Sequence, residues 1–98
     1  MKFSLIICTY QRADAIVALL NSVNEQTLYP DEIIVVDGST DILTQNALEL
    51  KHYLNLSYYK VGDTDRGLTK QRNFGIKKLD ADSPVVCFLD DDTVFKIL

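Results

Sequence analysis

PDEIIVVDGSTD, residues 30–41, has the pattern of a strand followed by a turn and the start of a helix. Residues 33–36 are all β-branched and apolar, which is typical of a strand that is covered on both faces. Proline at position 30 is tolerated at a strand entry, so we predict a strand over 30–37. Asp37 and Gly38 then favour a turn, and Ser-Thr-Asp at 39–41 is an N-cap signal that predicts a helix over 39–54.

The same alternation of strand and helix extends in both directions along the chain. Upstream, Ile16, Leu19, Leu20 and Val23 recur at the spacing of an amphipathic helix. In the second helix the apolar residues Leu43, Ala47, Leu50 and Leu54 are expected to share the buried face. The remaining predicted elements are strands over 3–8, 56–61 and 84–89 and helices over 14–26 and 68–79.

This β-α-β-α-β-α-β order predicts an α/β fold with a mostly parallel sheet between two layers of helices. Right-handed crossovers favour the Rossmann-like strand order 3-2-1-4. The chain then reverses direction between strands 1 and 4, and open parallel sheets bind ligands at the carboxyl ends of strands beside such a switch point. We predict one domain over residues 1–98.

Polar residues follow three of the four predicted strands. Strand 1 is followed by Thr9, Tyr10, Gln11 and Arg12, strand 2 by Asp37, Gly38 and Ser39, and strand 4 by Asp90, Asp91 and Asp92. Because the carboxyl ends of parallel strands meet at one edge, we expect these side chains to surround a common ligand site.

Composition restricts the classes of function. The 98 residues are 47% apolar and 24% charged, which is ordinary for a globular domain. The net charge of −4 argues against a general nucleic-acid binder. Six basic residues nevertheless lie between positions 60 and 78: Lys60, Arg66, Lys70, Arg72, Lys77 and Lys78. A basic segment that faces the acidic cluster suits a phosphorylated small molecule bound with a divalent cation, whereas Lys77 and Lys78 are expected to lie on a solvated helix face. No export signal is visible, so we expect a cytoplasmic location.

The two cysteines, Cys8 and Cys87, lie within apolar strand patterns and are expected to be reduced and buried. Neighbouring strands could bring them close enough for a disulfide, but the expected compartment disfavours one.

Three adjacent aspartates, Asp90 to Asp92, end the fourth strand. They could form a solvated acidic turn, since aspartate is common in turns. They could also bind Mg²⁺ or Mn²⁺, which take oxygen ligands and bind through one or two carboxylates together with substrate phosphates. We favour the cation site, because a bound dication removes the repulsion among the carboxylates.

Four stretches, in order and spacing, resemble the N-terminal half of the family 2 glycosyltransferases of the GT-A fold. They are SLIICTYQR (4–12), DEIIVVDGSTD (31–41), DRGLTKQRNFGI (65–76) and VVCFLDDDTVF (85–95), the last of which contains the D-x-D motif. The resemblance implies an inverting, metal-dependent transfer of a sugar from a nucleotide diphosphate sugar to an unidentified acceptor. Two departures are Gln11, where asparagine is commoner, and Gln71, where the family often has alanine.

The resemblance also implies roles for individual residues. Thr9 and Asp37 would line the nucleotide pocket, with Asp37 on the base and Tyr10 and Arg12 nearby. Arg72 would lie beside the base or the diphosphate, and Asp91 would approach the ribose. Asp90 and Asp92 would form the metal pair, with Mn²⁺ or Mg²⁺ as cofactor.

In the family the catalytic base follows the D-x-D motif, and we expect it beyond Leu98. The 98 residues would thus bind donor without transferring sugar. The edge of the fourth strand would be uncovered, and such an edge predicts self-association.

Three alternatives remain at this stage. A nucleotidyltransferase is disfavoured because CTYQRADA, after strand 1, has no glycine for a phosphate loop. A receiver-like module needs an acidic pair where Thr9 and Tyr10 stand. A nucleotide-sugar-binding module without catalysis also fits.

Overall fold

The computed structural model describes residues 3–80 and 85–90. Its strands and helices alternate as predicted, with bounds that differ by one or two residues at most ends. The elements are β1 (Ser4–Thr9), α1 (Ala13–Asn24), β2 (Glu32–Asp37), α2 (Leu43–Glu49), β3 (Leu56–Lys60), α3 (Leu68–Lys78) and β4 (Val86–Asp90). No helix in these described ranges is both long enough and apolar enough to cross a membrane.

The four strands form one sheet in the order β3-β2-β1-β4, and every pairing is parallel. This confirms the predicted α/β class and strand order. The central pairing places Thr9 opposite Asp37 and Ser4 opposite Glu32. The reversal of chain direction therefore lies between β1 and β4, where we expected it.

Apolar side chains pack on both faces of the sheet. On one face Leu5, Ile7, Ile33 and Val35 pack with residues of α1 and with Leu48 of α2. On the other face Ile6, Ile34 and Val36 pack with residues that include Phe74 of α3. Alternate residues of a strand point to opposite faces, so continuous apolar strands are needed to fill both layers.

The first helix agrees with its predicted face. Ile16, Leu19, Leu20 and Val23 are each at most 1% exposed. They cover the β1–β2 face of the sheet and form much of the larger apolar cluster.

The second helix is shorter than predicted, and its predicted face is wrong. It begins at Leu43 rather than at residue 39 and buries Thr44 and Leu48, whereas Leu43, Leu50 and Leu54 are exposed. The start is late because the residues of the N-cap signal are engaged in contacts of the turn after β2. Only Asp41 bonds to the helix start, where its Oδ1 accepts from the Leu43 N–H at 3.1 Å.

Both cysteines are free thiols. Cys87 lies opposite Leu5 while Cys8 lies opposite Asp90, so they are out of register. They also contribute to the apolar clusters on opposite faces of the sheet. A disulfide between them is therefore excluded by geometry, in agreement with the expected reduced state.

Gly75 lets α3 lie close to the sheet. A Cβ atom at this position would lie 2.7 Å from Cγ2 of Ile6 and 3.4 Å from Cγ2 of Val36. Glycine lowers helix propensity, as the sequence indicates. The close approach explains why it is nevertheless present in the middle of α3.

Candidate functional site

The carboxyl ends of β1, β2 and β4 meet at one edge of the sheet. Thr9 lies opposite Asp37, and Cys8 lies opposite Asp90. The backbone of Asp90 and the residues that end β1 and β2 are thus neighbours across three adjacent strands. The predicted convergence of Thr9, Asp37 and the start of the aspartate triplet is confirmed at the level of the backbone.

Asp37 is fully buried, and both of its carboxylate oxygens accept hydrogen bonds. Oδ1 accepts from the backbone N–H of Ser39 at 2.9 Å. Oδ2 accepts from the hydroxyl of Tyr58, on β3, at 2.5 Å. Burial, followed by the hydrogen bond to Asp37 and its negative charge, raises the pKa of Tyr58. The carboxylate is therefore held in one orientation from two sides.

The turn after β1 is tied to the turn after β2. The backbone N–H of Gly38 donates to the carbonyl of Thr9 at 2.9 Å. The N–H of Gln11 donates to Oγ of Ser39 at 2.7 Å, and Oγ1 of Thr40 donates to the Gln11 side-chain oxygen at 2.8 Å. Gln11 adopts a left-handed backbone conformation, with φ of 49°. Here Ser39 and Thr40 make contacts between the turns that their N-cap pattern did not predict.

The loop before α3 covers the turn after β2. Nε of Arg66 donates to the carbonyl of Gly38 at 2.5 Å, and the same guanidinium pairs with Asp63. A Cβ atom on Gly38 would lie 3.2 Å from Cγ of Arg66 and 2.7 Å from Oε1 of Gln71. Glycine is needed at position 38 because side chains from this loop and from α3 pack directly against its backbone.

Gln71, on the first turns of α3, is 4% exposed and bonds to three segments. Its Nε2 donates to the carbonyl of Thr9 at 3.1 Å and to the carbonyl of Val36 at 2.9 Å. Its Oε1 accepts from the N–H of Gly67 at 3.1 Å. This side chain therefore connects the ends of the two central strands to the start of α3.

The other predicted site residues lie on different elements and differ in exposure. Tyr10 is 48% exposed and Arg12 is exposed, both in the turn between β1 and α1. The guanidinium of Arg72 lies 5.4 Å from the ring centre of Phe88, so α3 reaches the outer strand β4. Asp91 and Asp92 lie outside the described residues, and of Asp90 only the strand position is described.

An open groove of about 550 Å³ borders this edge. It runs between the first turn of α1 and α2 and is lined by residues that include Gln11, Arg12, Asp14 and Leu43. Arg12 is the one predicted site residue among those that line it.

Comparison with known proteins decides the family. The model of glycosyl transferase family 2 matches residues 4–97. This chain belongs to glycosyl transferase family 2. The membership confirms the resemblance drawn from the four sequence stretches, and it removes support from the nucleotidyltransferase and receiver-like alternatives.

Curated relatives of this chain include bacterial glycosyltransferases. The O-antigen chain rhamnosyltransferase RfbN of Salmonella typhimurium is 38% identical over 96 residues, which cover 96% of this chain and 29% of that protein. The poly(ribitol-phosphate) beta-N-acetylglucosaminyltransferase TarS of Staphylococcus aureus is 35% identical over 95 residues, which cover 94% of this chain and 16% of TarS.

Solved structures of family 2 enzymes show the same architecture. Residues 1–349 of S. aureus TarS, in complex with UDP-GlcNAc, match with a TM-score of 0.76 and 36% identity over 94% of this chain and 27% of that one. The mannosyltransferase PcManGT from Pyrobaculum calidifontis, in complex with GDP-Man and Mn²⁺, matches with a TM-score of 0.75 and 29% identity over 96% of this chain and 28% of that one. The chain spans less than a third of the length of these relatives.

The metal ligands of this family 2 chain remain a prediction. Within residues 3–80 and 85–90, no three His, Cys, Asp or Glu side chains are grouped so that they could hold a metal ion. The aspartate triplet begins at Asp90, whose backbone lies at the edge where β1 and β2 also end. Carboxylates there have the chemistry that Mg²⁺ and Mn²⁺ prefer, so the donor set fits.

Sequence reasoning missed two residues that contact the site. Tyr58 was not among the predicted site residues, although it lies opposite Val35, which is two residues before Asp37 and points to the same face of the sheet. That alternation could have indicated the contact with Asp37. Gln71 was noted only as a departure from the family pattern. No local signal predicts its contacts, because the carbonyl of Thr9 lies 62 positions away in sequence.

Proposed function

We propose that this chain binds the nucleotide diphosphate sugar donor of an inverting, metal-dependent glycosyltransferase. The observation that supports it most is the edge at which Thr9, Asp37 and the backbone of Asp90 are neighbours on adjacent strands. Open parallel sheets bind nucleotides at such an edge. The relatives whose solved structures contain UDP-GlcNAc or GDP-Man support a donor of this class.

Asp37 is the proposed contact for the nucleotide base. Its carboxylate is held by the Ser39 N–H and the Tyr58 hydroxyl, and each carboxylate oxygen has a second lone pair. Because Asp37 is fully buried, a base N–H can reach that lone pair only when the residues that cover it move as the donor binds. An acceptor that is already oriented loses little entropy when the ligand binds. Thr9, Tyr10 and Arg12 complete the pocket from the turn after β1.

Arg72 is the proposed contact for the base or the diphosphate, and Asp91 is the proposed contact for the ribose. The planar guanidinium of Arg72 suits bidentate contact with phosphate oxygens. Its position over Phe88 places it between α3 and the strand that leads into the aspartate triplet.

Asp90 and Asp92 are the proposed ligands of Mn²⁺ or Mg²⁺, and Asp92 is the proposed direct ligand. A dication bound there would supply Lewis-acid stabilisation of the departing nucleotide diphosphate. β4 pairs directly with β1, so the backbone of Asp90, the first residue of the triplet, lies beside the end of β1.

Activation of the acceptor hydroxyl needs a carboxylate within hydrogen-bond distance of it. No residue among the 98 is assigned to this role. We propose that the isolated chain binds donor without transferring the sugar, and that the acceptor is a saccharide or another hydroxyl-bearing molecule.

Calorimetric titration with UDP and GDP, each with and without Mn²⁺, tests the proposal. We expect one nucleotide to bind, with an affinity that rises when Mn²⁺ is present. Asp37→Asn should weaken that binding by about tenfold or more, because it replaces a charged acceptor. Asp92→Ala should abolish the dependence on Mn²⁺.

Glu25→Gln provides a matched control, because Glu25 is an exposed carboxylate at the C-terminal end of α1, away from the nucleotide edge. It should leave both the affinity and the metal dependence unchanged. A folded protein that binds neither nucleotide would refute the proposal. Metal dependence that persists in Asp92→Ala would assign the ion to other ligands.

A further inference from the structure

Gln71 is a buried polar side chain whose amide is engaged at both ends. Both N–H groups of its amide face strand-end carbonyls, and its oxygen faces the N–H of Gly67. An amide group has two donors and two acceptor lone pairs, so both donors are used. Hydrogen bonds have preferred distances and angles, so this amide restricts the positions of the three backbone groups more than an apolar side chain of the same size would.

The segments that Gln71 joins are those that carry the proposed pocket. The Thr9 carbonyl, which Nε2 contacts, also accepts from the N–H of Gly38, the residue after Asp37. The Val36 carbonyl, which Nε2 also contacts, precedes Asp37 directly. Gln71 therefore bonds directly to the residue before Asp37. It also bonds to the Thr9 carbonyl, which is the hydrogen-bond partner of Gly38, the residue after Asp37.

We propose that Gln71 is a positioning residue of the donor pocket, holding the ends of β1 and β2 in the spacing that presents Thr9 and Asp37 to the nucleotide. This inference rests on the proposed function, which identifies the ligand of the pocket as a nucleotide diphosphate sugar. Gln71 itself is not proposed to touch the donor. It acts through the backbone, and its neighbour Arg72 is placed by the same anchoring of α3.

A purely structural role would affect stability alone, so the test measures local order and ligand affinity as well. Gln71→Met retains the length and approximate volume of the side chain and removes all three hydrogen bonds. Gln71→Ala is the second variant, since alanine is common here in the family. Ser22→Ala is the control, because it removes a hydrogen bond, 2.7 Å long, from a buried helical side chain elsewhere.

The first readout is amide hydrogen exchange in the full 98-residue chain without ligand. In both Gln71 variants we expect the Gly38 and Gly67 amides to exchange about tenfold faster or more. The Asp31 amide, which bonds to the Phe3 carbonyl at the opposite edge of the sheet, should not change beyond the shift in global stability. Unchanged exchange at Gly38 would overturn the inference whether or not a nucleotide binds.

The second readout is the dissociation constant for UDP or GDP with Mn²⁺. We expect it to rise about tenfold in Gln71→Met and to be unchanged in Ser22→Ala at equal loss of stability. If the native chain binds nucleotide and Gln71→Met binds it equally well, the positioning role is wrong and the proposed function stands. If the native chain binds no nucleotide, the proposed function fails, and a positioning role in donor binding fails with it.

Discussion

Replacing Gly75 with alanine introduces a steric clash between α3 and the sheet but also raises the helix propensity of α3. The change in stability tests which of these two effects is larger. In an exposed helix the substitution would stabilise the protein by about 1 kcal/mol. Here the new Cβ would lie 2.7 Å from Cγ2 of Ile6, well inside the 3.4 Å at which ordinary contact begins. Ile6 is fully buried and β-branched, so its side chain has little freedom to move away.

Inserting a methyl group into a packed core costs about 1–3 kcal/mol. Since the gain in helix propensity is about 1 kcal/mol, we expect Gly75→Ala to lower the free energy of unfolding by about 0–2 kcal/mol. In a domain of this size each kcal/mol corresponds to about 4–8 °C in Tm. Thermal and urea denaturation, followed by circular dichroism, would measure the change.

Two further variants separate the effect of the contact with Ile6 from the effect of helix propensity. Asn73→Ala changes an exposed position in the same helix and should raise stability by about 0.5 kcal/mol. Ile6→Ala removes the atom that the new Cβ would meet, so Gly75→Ala should be neutral or stabilising in that background. A rise in Tm for Gly75→Ala alone, or an equal loss in both backgrounds, would refute the reasoning.

Three other perturbations have expected outcomes. The raised pKa of Tyr58 means that the folded state retains its proton better than the unfolded state, so the stability it contributes is complete below about pH 10 and is lost as pH rises above that value. Tyr58→Phe should make stability fall less steeply above pH 10 in urea titrations, and an unaltered slope would contradict this. The Thr44 hydroxyl is buried and has no hydrogen-bond partner within the described part of the chain. Thr44→Val should therefore raise the free energy of unfolding by about 1 kcal/mol. A loss of stability would show instead that the hydroxyl makes a stabilising hydrogen bond. Self-association through the edge of β4 should appear in sedimentation velocity and weaken in Val85→Lys, which places a charge beside that edge; a monomeric native chain would rule it out.

The proposed donor site depends on a small set of contacts at the ends of β1 and β2. Asp37 has its carboxylate fixed by groups from its own turn and from β3, and Gln71 bonds to the carbonyl of Val36, directly before Asp37, and to the carbonyl of Thr9 on β1. The contacts come from elements that are distant in sequence. The shape of the pocket therefore depends on the complete sheet and on α3 packed against it.

The apolar pattern alone was enough to predict the class of fold and the end of the sheet at which the site is proposed. Continuous apolar runs such as residues 33–36 are typical of strands that are covered on both faces, and their alternation with helices predicts a parallel sheet with its ligand edge at the switch point. Thr9 and Asp37 could be assigned to that edge because each directly ends an apolar run. Local periodicity also sufficed for α1, whose predicted face is the buried one.

Only the tertiary structure decided the contacts that cross between elements. Ser39 and Thr40 carry an N-cap signal, yet their hydroxyls bond to the turn after β1, and α2 begins later and buries Thr44 and Leu48 instead of the expected leucines. The contact between Tyr58 and Asp37 and the three bonds of Gln71 join residues that are far apart in sequence. Sequence periodicity describes the preference of one segment, whereas a polar side chain bonds to whichever partner the packed sheet places within reach.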